Sequence, residues 1–349
     1  MLINNSEYFE ILENIKTRIK ESQYRAVLGA NKELMELYWN IGQVIIANTK
    51  YGAKFIENLS RDILLEFPDI RGFSVTNLKY MRKFAETYPD FQKSQRSVDL
   101  LPWRNNITLM SKIKDDTERQ WYIAQNIENG WNNAALIHHI EMKLYKRQAI
   151  AEKTSNYGKL LPSPFSGLAE ETLKSPYVFD FIEKREGIIE REIERELVAN
   201  IAKTLMELGT GFAFVGNQYH LCVEDEDYYI DLLFYNTKLR CYVVVELKSG
   251  KFKPEYAGKL NFYLSAVDDI LKHEHDNPSI GILLCKERGK LTTEYALKDI
   301  NKPIGVSEYK LSEFVPAEFA DTLPSAEDIE KRIKLEFDIE NGFNTEIKL

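Results

Sequence analysis

The chain has 349 residues, 44% of them hydrophobic and 29% charged, with a net charge of -8. That length exceeds what one core ordinarily supports and predicts two domains, and the composition excludes a disordered or fibrous chain. No basic region followed by an apolar one opens the sequence, and no apolar run approaches the roughly 20 residues that cross a bilayer, so no membrane partner and a cytoplasmic location are expected.

The charge is uneven. Residues 1–150 hold 21 Lys and Arg against 18 Asp and Glu, the remainder 25 against 36, and Arg71 to Met110 is about +4. Global acidity therefore leaves room for a local basic face. Cys222, Cys241 and Cys285 have no metal-ligand spacing and lie in apolar strand-like runs, which predicts core thiols in a reducing compartment.

From Glu7 to Ala47 apolar residues recur at helical spacing, with a break near Gly29-Ala30-Asn31, predicting two core helices. Phe55, Leu59 and Ile63 mark another helix, ending at Phe67-Pro68. After the turn Arg71-Gly72-Phe73, Ser74 is an N-cap for a helix that ends at Pro89. That helix buries Val75, Leu78, Met81, Ala85 and Tyr88 and offers Thr76, Asn77, Lys79, Tyr80, Arg82 and Lys83. The pair reads as helix-turn-helix-like, its second helix suited to a major groove; an ordinary helical hairpin is the plainer alternative.

Helices over Ile107 to Ile113, Trp121 to Ile127 and Ala134 to Lys146 complete the first half, with Trp103, Trp121 and Trp131 as core residues. His138-His139 is read as a satisfied or solvated pair rather than a metal site. Lys153 to Gly167 concentrates Ser, Pro and Gly without a period and reads as an interdomain linker. Ser175-Pro176-Tyr177 is expected to open a helical piece.

The second half changes pattern. Glu194 to Leu208 is an amphipathic helix closed by Gly209, and Phe212 to Val223 a strand. Tyr228 to Ser249 is a β-hairpin of two apolar runs around Asn236-Thr237-Lys238. Pro254 starts a helix; Ile280 to Cys285 and Ile304 to Tyr309 are strands. His273 and His275 look like a solvated helix end. The order predicts a mixed α/β sheet centred on the hairpin.

Three charges interrupt that hairpin. Glu246 and Lys248 share a face, and an even-length loop, such as Thr237-Lys238 or Asn236 to Leu239, puts Asp231 on it too. Carboxylates in strands this apolar need a metal, a cation or neutralisation. An ion pair of Lys248 with Glu246 or Asp231 at a sheet edge would also satisfy them.

Helix, strand, strand with Asp, strand with Glu-x-Lys, helix, strand resembles the PD-(D/E)XK nuclease core, with Ile230-Asp231 as the "PD" element and Glu246-Leu247-Lys248 as the "(D/E)XK". The blocks LYWNIGQVI, GFSVTNLKYMRKFAETYP, ELGTGFAFVGNQYHL, YYIDLLFYN and VVVELKSGKFKPEYAGKLNFYL together resemble the YhcG-like nuclease family of bacteria, over roughly residues 5 to 315. Ile replaces Pro before the Asp. Asn217 stands where the family more often has Arg, and Arg104-Asn105-Asn106 where Ser-His-His is usual after Pro-Trp.

The resemblance implies a two-domain DNA endonuclease that depends on Mg²⁺, with Mn²⁺ able to substitute. An all-α DNA- or partner-binding domain (1–150) and a linker (151–170) would precede a PD-(D/E)XK α/β domain with a restriction-endonuclease-like sheet (171–320) and an acidic C-terminal helix or tail (321–349). Asp231, Glu246 and the Leu247 carbonyl would hold the metal. Lys248 would act with the two carboxylates in catalysis, supported by Glu207, Gln218, Lys259 and Tyr263. DNA would be contacted by the six side chains of the second helix and by Lys251 and Lys253. DNA defence or repair is the implied setting. Duplex cutting needs two sites, which a homodimer would supply, and the helical domain could instead engage partner proteins. The competing reading is a non-catalytic DNA-binding or protein-interaction protein with a degenerate nuclease fold.

Overall fold

The computed structural model describes residues 5–48, 54–91, 97–185 and 187–312, so the acidic helix or tail expected over 321–349 lies outside the described residues. The chain divides into two compact units, Met1–Ile150 and Ala151–Leu349. Among the described residues no helix is long and apolar enough to cross a membrane.

The first unit is helical. α1 (Asn5–Ala47) runs unbroken for 43 residues, in place of the two helices expected. A glycine inside a helix costs only about 1 kcal/mol relative to alanine, and Asn31, at the expected break, is anchored: its Nδ2 donates to the carbonyls of Asp99 (2.6 Å) and Leu101 (3.0 Å). α2 (Phe55–Glu66) and α3 (Val75–Thr87) follow, α3 capped by the Ser74 hydroxyl, which accepts from the Asn77 N–H. Then come α4 (Trp103–Lys112), α5 (Asp116–Asn129) and α6 (Asn133–Glu141). Met35, Tyr38, Leu78, Met81, Phe84 and Tyr88 form the core, with Trp103, Trp121 and Trp131 packed at its margin. His139 is buried with its ring against Trp131, 4.2 Å between centroids.

Gly42 lets α1 and α3 approach closely. A Cβ there would stand 2.2 Å from the Met81 carbonyl oxygen and 2.7 Å from the Ala85 Cβ. A backbone atom cannot swing aside, so Gly42→Val must part the helices and should destabilise this unit by about 3 kcal/mol. Chemical denaturation of the full chain checks this; an unchanged midpoint would mean that the helices separate freely.

The second unit is a mixed sheet flanked by helices. Its elements are β1 (Thr154–Ser155), α7 (Tyr157–Leu160), α8 (Phe165–Thr172), β2 (Tyr177–Glu183), α9 (Glu190–Ala199), α10 (Ile201–Leu208), β3 (Phe212–Val223), β4 (Glu226–Asn236), β5 (Cys241–Lys251), α11 (Pro254–Ile270), β6 (Ile280–Glu287), α12 (Lys290–Leu297) and β7 (Ile304–Ser312). The order is β1-β7-β6-β5-β4-β3, with β2 also on β7. β3, β4 and β5 are antiparallel and β5, β6 and β7 parallel. The hairpin of β4 and β5 thus lies inside the sheet, β5 covered on both sides.

Several expectations are corrected. The stretch read as a linker is folded into this unit: Tyr157 is fully buried and donates to the Gly281 carbonyl (2.8 Å), and β1 pairs with β7. Pro162, Ser163 and Pro164 separate α7 from α8, and Gly158, Ser166 and Gly167 lie inside those two helices. Tyr177 begins a strand, not a helix, because Tyr177, Phe179 and Ile182 turn inward and Asp180 outward. The helix expected from Glu194 starts four residues earlier and is interrupted at Asn200, giving α9 and α10. Cys241 and Cys285 are buried, but Cys222 is exposed near the end of the edge strand β3.

Candidate active site

The site forms where β4 and β5 part. Their pairing runs from Asn236↔Cys241 to Leu232↔Val245, so the loop has four residues, 237–240, an even number. One step further sets Asp231 across from Glu246, on one face of the sheet. There the ladder gives way: the Leu247 N–H donates to the Asp231 Oδ2 at 2.9 Å, a side-chain carboxylate taking the place of a strand carbonyl.

Glu246 is fully buried. Its Oε1 accepts from two ammoniums, Lys259 at 2.7 Å and Lys248 at 3.0 Å. Its Oε2 has no hydrogen-bond partner among the described residues. Lys248 Nζ also donates to the Leu247 carbonyl (2.7 Å), lies 4.0 Å from Asp231 Oδ2 and 3.3 Å from Glu190 Oε2, and stands over the Tyr256 ring at 5.4 Å. Lys259 lies 5.0 Å over the Tyr263 ring, one helical turn further along α11.

The electrostatics follow from this crowding. Burial, and then the neighbouring Glu246, push the Asp231 carboxyl up to about 6, against the opposing pull of the Leu247 N–H and the two lysines. Burial works against the Lys248 ammonium, but Glu246, Asp231 and Glu190 outweigh it and hold the group above the ordinary lysine value. For Lys259 the same contest, again begun by burial and won by Glu246, ends higher still.

Two carboxylates that sequence reasoning missed complete the arrangement. Glu190, first residue of α9, accepts from the Ser249 N–H (3.0 Å) besides meeting Lys248. Glu194, one turn on and buried, accepts from Asn217 Nδ2 (3.0 Å) and Gln218 Nε2 (2.7 Å). Gln218, at φ +43, also lies 3.4 Å from Asp231 Oδ1, so α9 is tied to Asp231 through one amide. The signal was present in Glu190-Arg191-Glu192-Ile193-Glu194: two glutamates four apart, flanking the core residues Ile193 and Leu197. It was hidden because the helix was started too late.

Glu207, the carboxylate expected from the far end of that region, is engaged elsewhere. Its Oε1 accepts from the Val178 N–H at 2.8 Å and its Oε2 lies 3.8 Å from Lys174 Nζ. It ties α10 to β2, and the carboxylate that reaches Lys248 is Glu190. Asn77 is likewise committed: its Nδ2 donates to the Gly72 carbonyl and its Oδ1 accepts from the Trp103 indole at 2.7 Å. It locks the turn before α3 instead of facing outward. Thr76 and Lys79 are exposed; Tyr80, Arg82 and Lys83 are half-buried, with Arg82 3.4 Å from Glu86. Lys251, the last residue of β5, and Lys253, just after it, are exposed, Lys253 lying 3.7 Å from Glu255.

Among the described residues no group of three His, Cys, Asp or Glu side chains has metal-binding geometry. The set nearest to one is two carboxylates and a peptide carbonyl. It nevertheless fits a hard divalent cation: the donors are all oxygen, Glu246 Oε2 is buried and has no hydrogen-bond partner among the described residues, and burial with the neighbouring Glu246 disfavours the Asp231 charge in the metal-free site.

Comparison with known proteins agrees with the geometry. Residues 14–147 match the DUF1016 N-terminal domain and residues 170–324 the YhcG PDDEXK nuclease domain. A relative from Escherichia coli (strain K12), named "Putative nuclease YhcG", is 28% identical over 340 residues, covering 87% of this chain and 90% of its own. Among solved structures, an EndoMS complex with double-stranded DNA superposes with a TM-score of 0.26 at 15% identity, over 37% of this chain and 47% of that one. A repair endonuclease from Pyrococcus abyssi gives 0.25 and 15%, over 37% and 49%. The chain spans about half the length of these two structures. With a helical unit and a mixed-sheet unit matching two domain models in sequence, the chain belongs to the YhcG-like PD-(D/E)XK nuclease family.

Proposed function

We propose that the chain is a divalent-metal-dependent DNA endonuclease serving DNA defence or repair, with Asp231, Glu246 and Lys248 as its catalytic residues. The observation that carries this reading is the meeting of Asp231, Glu246 and Lys248 at the parting of β4 and β5, with one buried Glu246 oxygen left open. Asp231, Glu246 and the Leu247 carbonyl would hold Mg²⁺, or Mn²⁺ in its place. A bound ion would polarise the phosphoryl group and lower the pKa of the attacking water.

The chain's own residues do the rest. Gln218, held by Glu194, orients Asp231 towards Glu246. Lys248, released from the Leu247 carbonyl, is a compact ammonium that can hold the incoming water and balance charge on the pentavalent phosphate. Glu190 steadies Lys248 and accepts from the Ser249 N–H. Lys259 neutralises Glu246 in the resting protein. Thr76, Lys79, Tyr80, Arg82 and Lys83 on α3 and Lys251 and Lys253 at the end of β5 are the surfaces offered to the DNA backbone. Asn77 is not among them.

Cleavage assays on linear, branched and modified duplexes test this. Strand scission with Mg²⁺ or Mn²⁺ that stops on adding EDTA is expected; scission undiminished by chelation would overturn the metal, and binding without scission would favour a non-catalytic binding protein.

A further inference from the structure

Asp231, Glu246 and Lys248 lie on the hairpin of β4 and β5, but Lys259 reaches the same carboxylate from α11. Its Nζ donates to Glu246 Oε1 at 2.7 Å, closer than Lys248 at 3.0 Å. The Glu246 side chain is fully buried and that of Lys259 is 45% exposed, so the ammonium reaches in from solvent to cap a carboxylate that water does not touch. Its other neighbour is the Tyr263 ring at 5.0 Å, and among the described residues Glu246 is its one anionic partner. Lys248 differs on each count: its side chain is 10% exposed and is held by Glu190, Asp231 and the Leu247 carbonyl besides Glu246.

The cluster sets three carboxylates, Asp231, Glu246 and Glu190, against two ammoniums, a formal charge of -1 with every group ionised; without Lys259 it would be -2. A cation held by Asp231 and Glu246 has two routes in. On Glu246 Oε2, which has no hydrogen-bond partner among the described residues, it would lie one carboxylate away from the Lys259 ammonium; on Oε1 it would have to displace that ammonium. Either route weakens its binding, because like charges repel and burial reduces the screening between them.

We propose that Lys259 is a tethered cation that competes with the divalent metal for Glu246 and so sets the metal affinity of the site. The proposal rests on the reading of Asp231 and Glu246 as metal ligands. Lys259 keeps a buried carboxylate paired before the metal enters, where an uncompensated charge would be costly. A monovalent ion brings no more charge than the ammonium already present, so the arrangement favours a divalent one. If Lys259 merely held Glu246 in place, its loss would weaken metal binding; competition predicts the reverse.

Calorimetric titration of Mn²⁺ into the full chain tests it. Lys259→Gln keeps a hydrogen-bond donor for Glu246 and removes the charge. It should bind Mn²⁺ about tenfold or more tightly than wild type, the size expected for one unit charge beside a divalent ion under strong solvent screening. Lys259→Met should do the same, and Lys259→Arg, which keeps the charge, should stay near wild type. At equal concentration Mn²⁺ should raise the melting temperature of Lys259→Gln more than that of wild type. Asp231→Asn, alone or with Lys259→Gln, should abolish binding. Unchanged or weaker Mn²⁺ binding by both Lys259→Gln and Lys259→Met, still abolished by Asp231→Asn, would overturn the competition and leave the metal site standing. Binding absent from wild type and Lys259→Gln alike, or indifferent to Asp231→Asn, would overturn the metal site and the proposal with it.

Discussion

Lys248→Ala is expected to lower DNA cleavage by at least 10²–10³-fold while leaving DNA affinity nearly unchanged. The magnitude is that of deleting one preorganised group that stabilises developing charge. Among the described residues Lys248 is the one ammonium within 4.0 Å of Asp231, Glu246 and Glu190 together, and Lys259, which reaches only Glu246 among them, approaches from α11 rather than from the strand. Lys259 cannot replace it without leaving Glu246. The exposed lysines proposed to meet the DNA backbone are untouched, so filter binding or anisotropy should report wild-type affinity at the same salt. Loss of binding in step with cleavage would move Lys248 from chemistry to docking.

Asp231→Asn is expected to abolish cleavage and to make the metal-free protein more stable. The folded carboxyl sits at about 6, against 3.8 for the ordinary group, because burial and Glu246 disfavour its charge. A raised carboxyl pKa means that the folded chain holds the proton more tightly than the unfolded one. Stability from this group is therefore full below about pH 4, is lost as the pH rises towards 6, and stays lost above it. The cost at pH 8 is at most ~3 kcal/mol, which the neutral amide removes. A melting temperature several degrees above wild type at pH 8, with the gap closing by pH 4, is the expected calorimetric result. Equal melting temperatures at pH 8 would show that Lys248 and Lys259 already neutralise the pair.

The sequence exposed the meeting of three charges in the hairpin better than the residues that surround it. Asp231, Glu246 and Lys248 were legible because charges inside apolar strands stand out against a two-residue period, and the loop parity that joined them is a matter of counting. Glu190 and Glu194 were not, because acidic residues early in a helix are ordinary helix chemistry, and only the fold gives them targets, Lys248 and Ser249 on β5 for Glu190 and Asn217 and Gln218 on β3 for Glu194. Glu207 drew attention as a carboxylate at a helix end, yet Val178 and Lys174 were the partners waiting for it. The folded stretch around Tyr157 misled for a related reason: Ser, Pro and Gly occur within and between short helices as well as in linkers, and one buried tyrosine hydroxyl on Gly281 decides which. Asn77 looked like a base reader because its position on α3 is polar, but the turn before the helix needed its amide.

The most direct measurement compares initial cleavage rates of wild type, Asp231→Asn, Lys248→Ala and Glu207→Gln on one duplex at saturating Mn²⁺. The metal site described here predicts that the first two variants lose cleavage while Glu207→Gln, if folded, retains it; wild-type rates from both Asp231→Asn and Lys248→Ala would contradict it.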